Sequence, residues 1–289
     1  MSISARIERA LDRAIAYTEA PGAPPLLAAA LRYSVFPGGH RIRPQLCMAV
    51  AMACGDRDPE AADAAAASIE LLHCASLVHD DLPCFDNADL RRGKPSVHAE
   101  FGAPLAVLAG DALIVLAFET LARGAGEDPS RCLELTRIVA RAVGSPHGIV
   151  AGQAWESEAA VSLTDYQRAK TGALFVGATQ SGAAAAGVDP RVWGALGAKL
   201  GEAYQVADDL RDILCDEEEL GKPVGQDAAC RRPNAAAQMG IGGAKAHLEA
   251  LVRGAVESIP DCPGADELRA LIKAHTAMFF PKQLVRVAA

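Results

Sequence analysis

Apolar side chains recur every three or four residues along most of this chain. Near the N-terminus, Ile7, Leu11 and Ile15 fall on one face of a helix. The same spacing, bounded by proline and glycine, predicts helices over residues 4–20, 26–35, 43–54, 60–81, 103–123, 130–143, 146–158, 163–187, 191–214, 242–257 and 264–276. Residues 217–234 contain several glycines and prolines and predict a loop. No segment alternates apolar and polar residues as a strand would, so the pattern predicts an all-α fold of about ten helices.

The composition agrees with a helical body. Of the 289 residues, 51% are apolar but only 4% are aromatic, and alanine occurs in runs. Alanine is the best helix former, and a disordered chain would be far less apolar. We therefore expect a single domain over residues 1–289. The 36 acidic and 28 basic residues give a net charge of -8, which argues against a nucleic-acid-binding protein.

The chain shows no signal peptide or membrane span. Its N-terminal residues carry both charge signs and lack a long apolar core. The most apolar stretch, residues 103–122, contains Asp111 and predicts a buried core helix. The eight cysteines have no CxxC spacing, which indicates reduced thiols and argues against a zinc site. These features predict a cytoplasmic protein.

Two clusters of aspartates lie at the ends of apolar helices. They consist of Asp80, Asp81 and Asp86, and of Asp208, Asp209 and Asp212. Like charges on one helix face repel each other, and acids at a helix C-terminus oppose the macrodipole. A bound cation would offset both the charge repulsion and the unfavourable interaction with the macrodipole. Because the ligands are carboxylates without thiolates, Mg²⁺ is favoured over Zn²⁺. For either cluster alone, an exposed acidic helix end screened by water and salt is the alternative.

Basic residues follow each aspartate cluster. Arg91, Arg92 and Lys94 follow the first, and Lys222 and Arg232 are among those that follow the second. Guanidinium groups match the geometry of phosphate oxygens. Metal ions and fixed cations in one cavity are typical of a diphosphate site.

In their order and spacing, these motifs resemble the trans-isoprenyl diphosphate synthase family, the farnesyl and geranylgeranyl diphosphate synthases. The first cluster with Arg91-Arg92-Gly93 is similar to the DDxxxxD and RRG motifs, and the second cluster to DDxxD. Lys170-Thr171 is similar to the KT element, and residues 38–44 to GGKRxRP. The similarity extends from about residue 26 to about residue 235. Within the family, the chain most resembles the C20-forming members of purple photosynthetic bacteria, which serve carotenoid and bacteriochlorophyll synthesis.

The resemblance implies a fold and a reaction. The fold is a ring of long antiparallel helices around a central cavity, with the two clusters facing each other at its mouth. It implies a homodimer with residues 103–143 at the interface. In the reaction, an allylic diphosphate (dimethylallyl, geranyl or farnesyl) ionises and the double bond of isopentenyl diphosphate attacks the cation. Up to about three Mg²⁺ ions, replaceable by Mn²⁺, assist the departure of diphosphate.

The resemblance also implies roles for individual residues. The six aspartates hold Mg²⁺. The allylic diphosphate is bound by Arg91, Lys170, Thr171, Gln205, Lys222 and Arg232. Isopentenyl diphosphate is bound by His40, Arg43, His73 and Arg92. Thr171 and Gln205 also present oxygen dipoles to the carbocation.

This sequence departs from the family pattern at several positions. His40 stands where the family has lysine, Ala88 replaces a frequent aspartate, and Gln226 replaces the lysine of a GKD element. Two other classes share part of the pattern: a helical terpene cyclase and a non-catalytic partner subunit. A second diphosphate pocket argues against the cyclase, and two intact aspartate clusters argue against the partner subunit.

Product length is predicted from the residue five positions before the first aspartate. In bacterial farnesyl diphosphate synthases this residue is bulky and aromatic, whereas here it is Ala75, between Cys74 and Ser76. The resemblance implies that small residues here open the floor of the cavity, down to Leu71 or Leu72. We therefore expect a C20 product, with farnesyl diphosphate as intermediate or alternative primer; a C15 farnesyl diphosphate synthase is the alternative.

Overall fold

The computed structural model describes residues 2–36, 38–126, 128–160, 162–214 and 234–280, and these residues are predominantly helical. They form two compact units. One unit comprises Met1–Ala140 and Gly177–Pro190, and the other comprises Arg141–Val176 and Arg191–Ala289. The single domain expected from composition stays a prediction.

The predicted helices are present, with some changes in their bounds. Up to the middle of the chain the elements are α1 (Ile3–Tyr17), α2 (Pro25–Val35), α3 (Ile42–Ala53), α4 (Pro59–Asp80), β1 (Leu90–Arg91), β2 (Lys94–Pro95), α5 (Val97–Phe101), α6 (Ala103–Gly124) and α7 (Pro129–Val143). They continue with α8 (Ile149–Ala154), α9 (Leu163–Gln167), a π-helical turn (Arg168–Gly172), α10 (Ala173–Ala185), α11 (Gly194–Leu214), α12 (Ala235–Glu257) and α13 (Ala265–Ala277). Short 3₁₀ turns precede α11 and follow α8.

Helices α4 and α6 pack closely against each other in the first unit. A Cβ atom at Gly124 would lie 2.1 Å from the Cβ of Ala64, and one at Gly110 would lie 2.0 Å from Nε2 of His79. These two glycines therefore allow the helices to approach at both ends of the contact. The side chain of Asp58 begins α4 by accepting a hydrogen bond of 3.1 Å from the amide of Ala61.

Helix α6 buries only one of its faces. Leu113 is fully buried, but Val107, Leu108 and Val115 are 41%, 52% and 69% exposed. By length and apolar content both α4 and α6 could cross a membrane, yet 83% of the apolar window of α4 is buried inside the protein, against 39% for α6. The prediction of a buried core helix at residues 103–122 is therefore correct for one face of α6 only.

The observed helices differ most from those predicted by apolar spacing in the second unit. The helix predicted over residues 163–187 is divided, because the π-helical turn inserts extra backbone between α9 and α10. Helix α12 begins earlier than predicted, where the side chain of Asn234 accepts hydrogen bonds from the amides of Ala236 and Ala237, and it is kinked at Gly240. Of the predicted loop, only Asn234 lies within the described residues.

Candidate functional site

The first aspartate cluster lies where α4 ends and the chain turns back. The amide of Asp86 donates a hydrogen bond of 2.9 Å to the carbonyl oxygen of Asp80, and the amide of Ala88 donates one of 3.2 Å to the carbonyl oxygen of Asp81. Asn87 completes the turn with a φ of 48°. This loop brings Asp86 back beside Asp80, although the two are six positions apart in the sequence.

A short hairpin, which the sequence pattern did not predict, presents the two arginines that follow. Leu90 pairs with Pro95 and Arg91 with Lys94, so the turn consists of Arg92 and Gly93. Both turn residues have positive φ, 54° and 75°, as a two-residue type I′ turn requires. The left-handed conformation of Arg92 is uncommon for a residue with a side chain.

Asp81 forms an ion pair with Arg91. Nε of Arg91 donates to both carboxylate oxygens at 3.1 Å, and its Nη2 also donates to this carboxylate. The Asp81 side chain is only 3% exposed. Burial opposes the charge on Arg91, but the hydrogen bond and charge of Asp81 outweigh it and raise the arginine pKa. The structure thus joins a predicted metal-binding aspartate to a predicted diphosphate-binding arginine.

Three of the four residues predicted to bind isopentenyl diphosphate are brought together in the first unit. Nη1 of Arg43 lies 3.4 Å from Nε2 of His73. Burial and then the charges of Arg43, Arg92 and other arginines hold the pKa of His73 well below its usual range. His73 is therefore a neutral imidazole in a cationic setting. The fourth predicted residue, His40, is exposed, and its carbonyl oxygen accepts a hydrogen bond of 2.9 Å from Gln45.

The two glycines before His40 make room for arginine side chains. A Cβ atom at Gly39 would lie 2.7 Å from Cζ of Arg92, and one at Gly38 would lie 2.2 Å from Cζ of Arg41. Arg41 is buried, with Nη1 2.7 Å from a carboxylate oxygen of buried Glu70. The arginine that follows His40 is therefore structural, whereas Arg92 remains exposed beside the glycine loop.

The low pKa of His73 predicts a pH-dependent stability. In the unfolded chain this side chain takes up a proton near its usual pKa of about 6.5, whereas the folded protein keeps it neutral to lower pH. The unfolded state therefore binds more protons in acid, and stability falls as pH decreases below about 6.5. We expect a His73→Gln variant to lose less thermal stability than the natural chain between about pH 7.5 and about pH 5.5. Equal losses of thermal stability in the two proteins would contradict the low pKa of His73 in the folded state.

In the second unit, a hydrogen-bonded series links the KT element to the second aspartate cluster. Oγ1 of Thr171 donates to Oε1 of Gln205 at 2.9 Å, and Nε2 of Gln205 donates to Oδ1 of Asp209 at 2.9 Å. Asp209 is buried, and Asp208 and Asp212 are half-buried on the same helix. Thr171, Gln205 and one aspartate of the second cluster are thus in direct contact.

Lys170 contacts a residue that the sequence analysis missed. Its Nζ lies 2.5 Å from Oε1 of Glu156. Glu156 follows α8 in a 3₁₀ turn, and a single glutamate in a helical segment gives no signal in sequence. The remaining predicted diphosphate ligands, Lys222 and Arg232, lie outside the described residues.

The carboxylate oxygens of the aspartates suit a hard cation, although the side chains are not arranged as a preformed metal site in the described residues. Within the described ranges, no group of three or more histidine, cysteine, aspartate or glutamate side chains is placed to hold a metal ion. Mg²⁺ keeps several waters and uses one or two carboxylates together with substrate phosphates. The candidate ligands are all oxygen atoms, so this donor set fits Mg²⁺ bound with a diphosphate.

Comparisons with known proteins agree with the motifs. The chain matches the Polyprenyl synthetase family over residues 24–262. It is 54% identical to a geranylgeranyl diphosphate synthase of Cereibacter sphaeroides over 98% of this chain and 99% of that protein. It is 53% identical to one of Rhodobacter capsulatus, over 99% and 100% of the two chains.

A solved structure shares the fold. The geranyltransferase of Helicobacter pylori complexed with magnesium and isoprenyl diphosphate superposes with a TM-score of 0.78 at 29% identity, covering 95% of this chain and 97% of that one. The resemblance and the all-α isoprenoid synthase fold predicted from the sequence are confirmed. The chain belongs to the polyprenyl synthetase family.

Proposed function

We propose that this protein is a geranylgeranyl diphosphate synthase, which condenses isopentenyl diphosphate with allylic diphosphates to give the C20 product. The observation that carries the proposal is the 54% identity, over nearly the whole chain, to an enzyme of that name. Its product would supply isoprenoid synthesis of the carotenoid and bacteriochlorophyll type. The direct contacts of Arg91 with Asp81 and of Thr171 with Gln205 support the proposed roles of these residues in binding Mg²⁺ and the allylic diphosphate.

The first step breaks the bond between C1 of the allylic substrate and its diphosphate oxygen, and the electron pair leaves with diphosphate. Arg91 and Lys170 bind the departing group and offset its growing charge, assisted by Lys222 and Arg232. Asp80, Asp81, Asp86 and the three aspartates of the second cluster would hold Mg²⁺, which would supply further positive charge to the departing group. Preorganised charge of this kind is usually the largest contribution to catalysis.

The second step forms the new carbon–carbon bond. Arg43, His73 and Arg92 bind the diphosphate of isopentenyl diphosphate, and its double bond attacks the allylic cation. A neutral His73 can accept a hydrogen bond from Arg43 and still donate one to a phosphate oxygen through its other nitrogen. The resulting cation loses a proton to the released diphosphate. No side chain acts as a covalent nucleophile in either step.

A product assay tests the proposal. The purified protein is incubated with isopentenyl diphosphate, dimethylallyl diphosphate and magnesium chloride, and the products are dephosphorylated and separated by chromatography. We expect geranylgeraniol as the main product, with farnesol at short times. Farnesol as the final product would make the protein a C15 synthase, a cyclic hydrocarbon would make it a cyclase, and no product would favour a partner subunit.

We further propose a cytoplasmic homodimer with the exposed face of α6 at its interface. The apolar side chains of Val107, Leu108 and Val115 are exposed along α6. Contiguous exposed apolar side chains often mark a contact with another protein chain. We expect a Val115→Lys variant to shift the protein from dimer to monomer in light scattering. The matched control is Val192→Lys at another exposed valine. A monomeric natural protein, or an unchanged dimer in the Val115 variant, would contradict this interface.

A further inference from the structure

We propose that Glu156 is a positioning residue for Lys170, holding its ammonium group where it binds the allylic diphosphate. The inference deepens the proposed function and rests on it. It assigns to Glu156 an effect on the affinity for the allylic substrate and none on the affinity for isopentenyl diphosphate. The assignment follows from the contacts of Glu156 within the second unit.

The carboxylate of Glu156 is held on both of its oxygens. Its Oε1 lies 2.5 Å from Nζ of Lys170 and accepts a hydrogen bond of 2.6 Å from the hydroxyl of Tyr166. Its Oε2 accepts a hydrogen bond of 3.1 Å from Nε2 of Gln153. Three donors from three different turns of the chain therefore fix the direction in which this carboxylate points.

The backbones that carry the pair are also fixed against each other. Gly152, in α8, contacts the π-helical turn so closely that a Cβ atom there would lie 2.3 Å from the backbone nitrogen of Lys170. The Lys170 and Glu156 side chains are only 20% and 21% exposed. Most surface ion pairs join two flexible side chains in water and contribute little, whereas this pair joins two short, closely packed segments.

The pairing leaves Lys170 able to bind a phosphate. An ammonium group has three N–H donors, and the contact with Glu156 uses one of them. The other two are available for oxygen atoms of a diphosphate, so the carboxylate need not release the lysine when substrate binds. Because a lysine side chain otherwise samples many rotamers, the contact lowers the conformational entropy that binding must remove.

Steady-state kinetics of a Glu156→Gln variant test the proposal. Glutamine keeps the size of the side chain and can still accept from Tyr166, but it loses the negative charge that holds Lys170. We expect the KM for farnesyl diphosphate to rise by about tenfold and kcat to change by less than about twofold. The KM for isopentenyl diphosphate should stay unchanged. The matched control is Glu158→Gln, an exposed glutamate two residues further on, which should leave all three constants unchanged.

A double-mutant cycle separates positioning from a general structural effect. If Glu156 acts through Lys170, adding Glu156→Gln to a Lys170→Met variant should cause no further loss of affinity for the allylic substrate. An unchanged KM in the single variant, a full additional loss in the double variant, or parallel losses of kcat and thermal stability would each refute the positioning role. Absence of prenyl transfer in the natural protein would instead refute the proposed function.

Discussion

Replacing Asp80 with alanine is expected to lower kcat by about a thousandfold or more while the protein stays folded. Asp80 is half-buried at the last position of α4, beside the backbone of Asp86. Its carboxylate is proposed to hold Mg²⁺ against the departing diphosphate, and losing that charge raises the barrier to ionisation. An acid at a helix C-terminus opposes the macrodipole, and this offsets the favourable interaction of Asp80 with Arg91, so its removal should change thermal stability little.

The measurement compares product formation and thermal unfolding in three variants. Asp89→Ala is the matched control, because Asp89 is an exposed acid in the same loop outside the proposed metal ligands. Asp81→Ala should differ from Asp80→Ala by also lowering stability, since it leaves the part-buried charge of Arg91 without its carboxylate. A near-normal Asp80→Ala enzyme would refute the metal assignment.

Chelation provides a second measurement of the same assignment. Excess chelator should abolish prenyl transfer, and added Mg²⁺ or Mn²⁺ should restore it. The restored activity should depend on metal concentration in the natural protein and remain low in Asp80→Ala at every concentration. Full activity in excess chelator would exclude a metal-dependent mechanism.

The sequence predicts the contacts between candidate site residues that share one regular helix, because those contacts follow from helical spacing. His73 precedes Asp80 by seven residues, about two turns, so periodicity alone puts both on one face of α4. Gln205 and Asp209 are four residues apart on α11 and are in direct contact, as helical spacing requires. These contacts are local, and local spacing is what a sequence expresses most directly.

Contacts made through turns could not be predicted in the same way. The ion pair between Asp81 and Arg91 depends on the hairpin turn at Arg92-Gly93, whose positive φ angles are a property of the folded loop. The contact between Glu156 and Lys170 depends on the π-helical turn, which changes the register of a predicted helix. A periodic pattern does not reveal one extra residue in a turn, so the partner of Lys170 was missed.

An Ala75→Tyr substitution is expected to change the main product from C20 to C15 without abolishing catalysis. Ala75 is 1% exposed, and it lies 11 residues after Ala64 and four before His79. Three helical turns span about 11 residues, so Ala75 shares the face of α4 that carries these two residues against α6. We propose, from the resemblance to the family, that residue 75 helps to form the floor of the cavity that receives the growing prenyl chain.

The size of a tyrosine ring explains the expected shortening. One helical turn rises about 5.4 Å, close to the length of one extended isoprene unit. With alanine at position 75, the next large side chains on the helix, Leu71 and Leu72, are buried about one turn deeper. A ring at position 75 therefore occupies the space of about one isoprene unit and stops elongation at farnesyl diphosphate.

Because Ala75 is 1% exposed, introducing a large ring at this position also lowers stability. Overpacking a buried position typically destabilises by about 1–3 kcal/mol, so we expect the melting temperature to fall by several degrees while the enzyme remains active. Ala75→Ser, which keeps a small side chain, is the control and should still give C20. Chromatography of the dephosphorylated products measures the outcome. If Ala75→Tyr still yields geranylgeraniol, or if the natural protein stops at farnesol, the floor of the cavity lies elsewhere than at position 75.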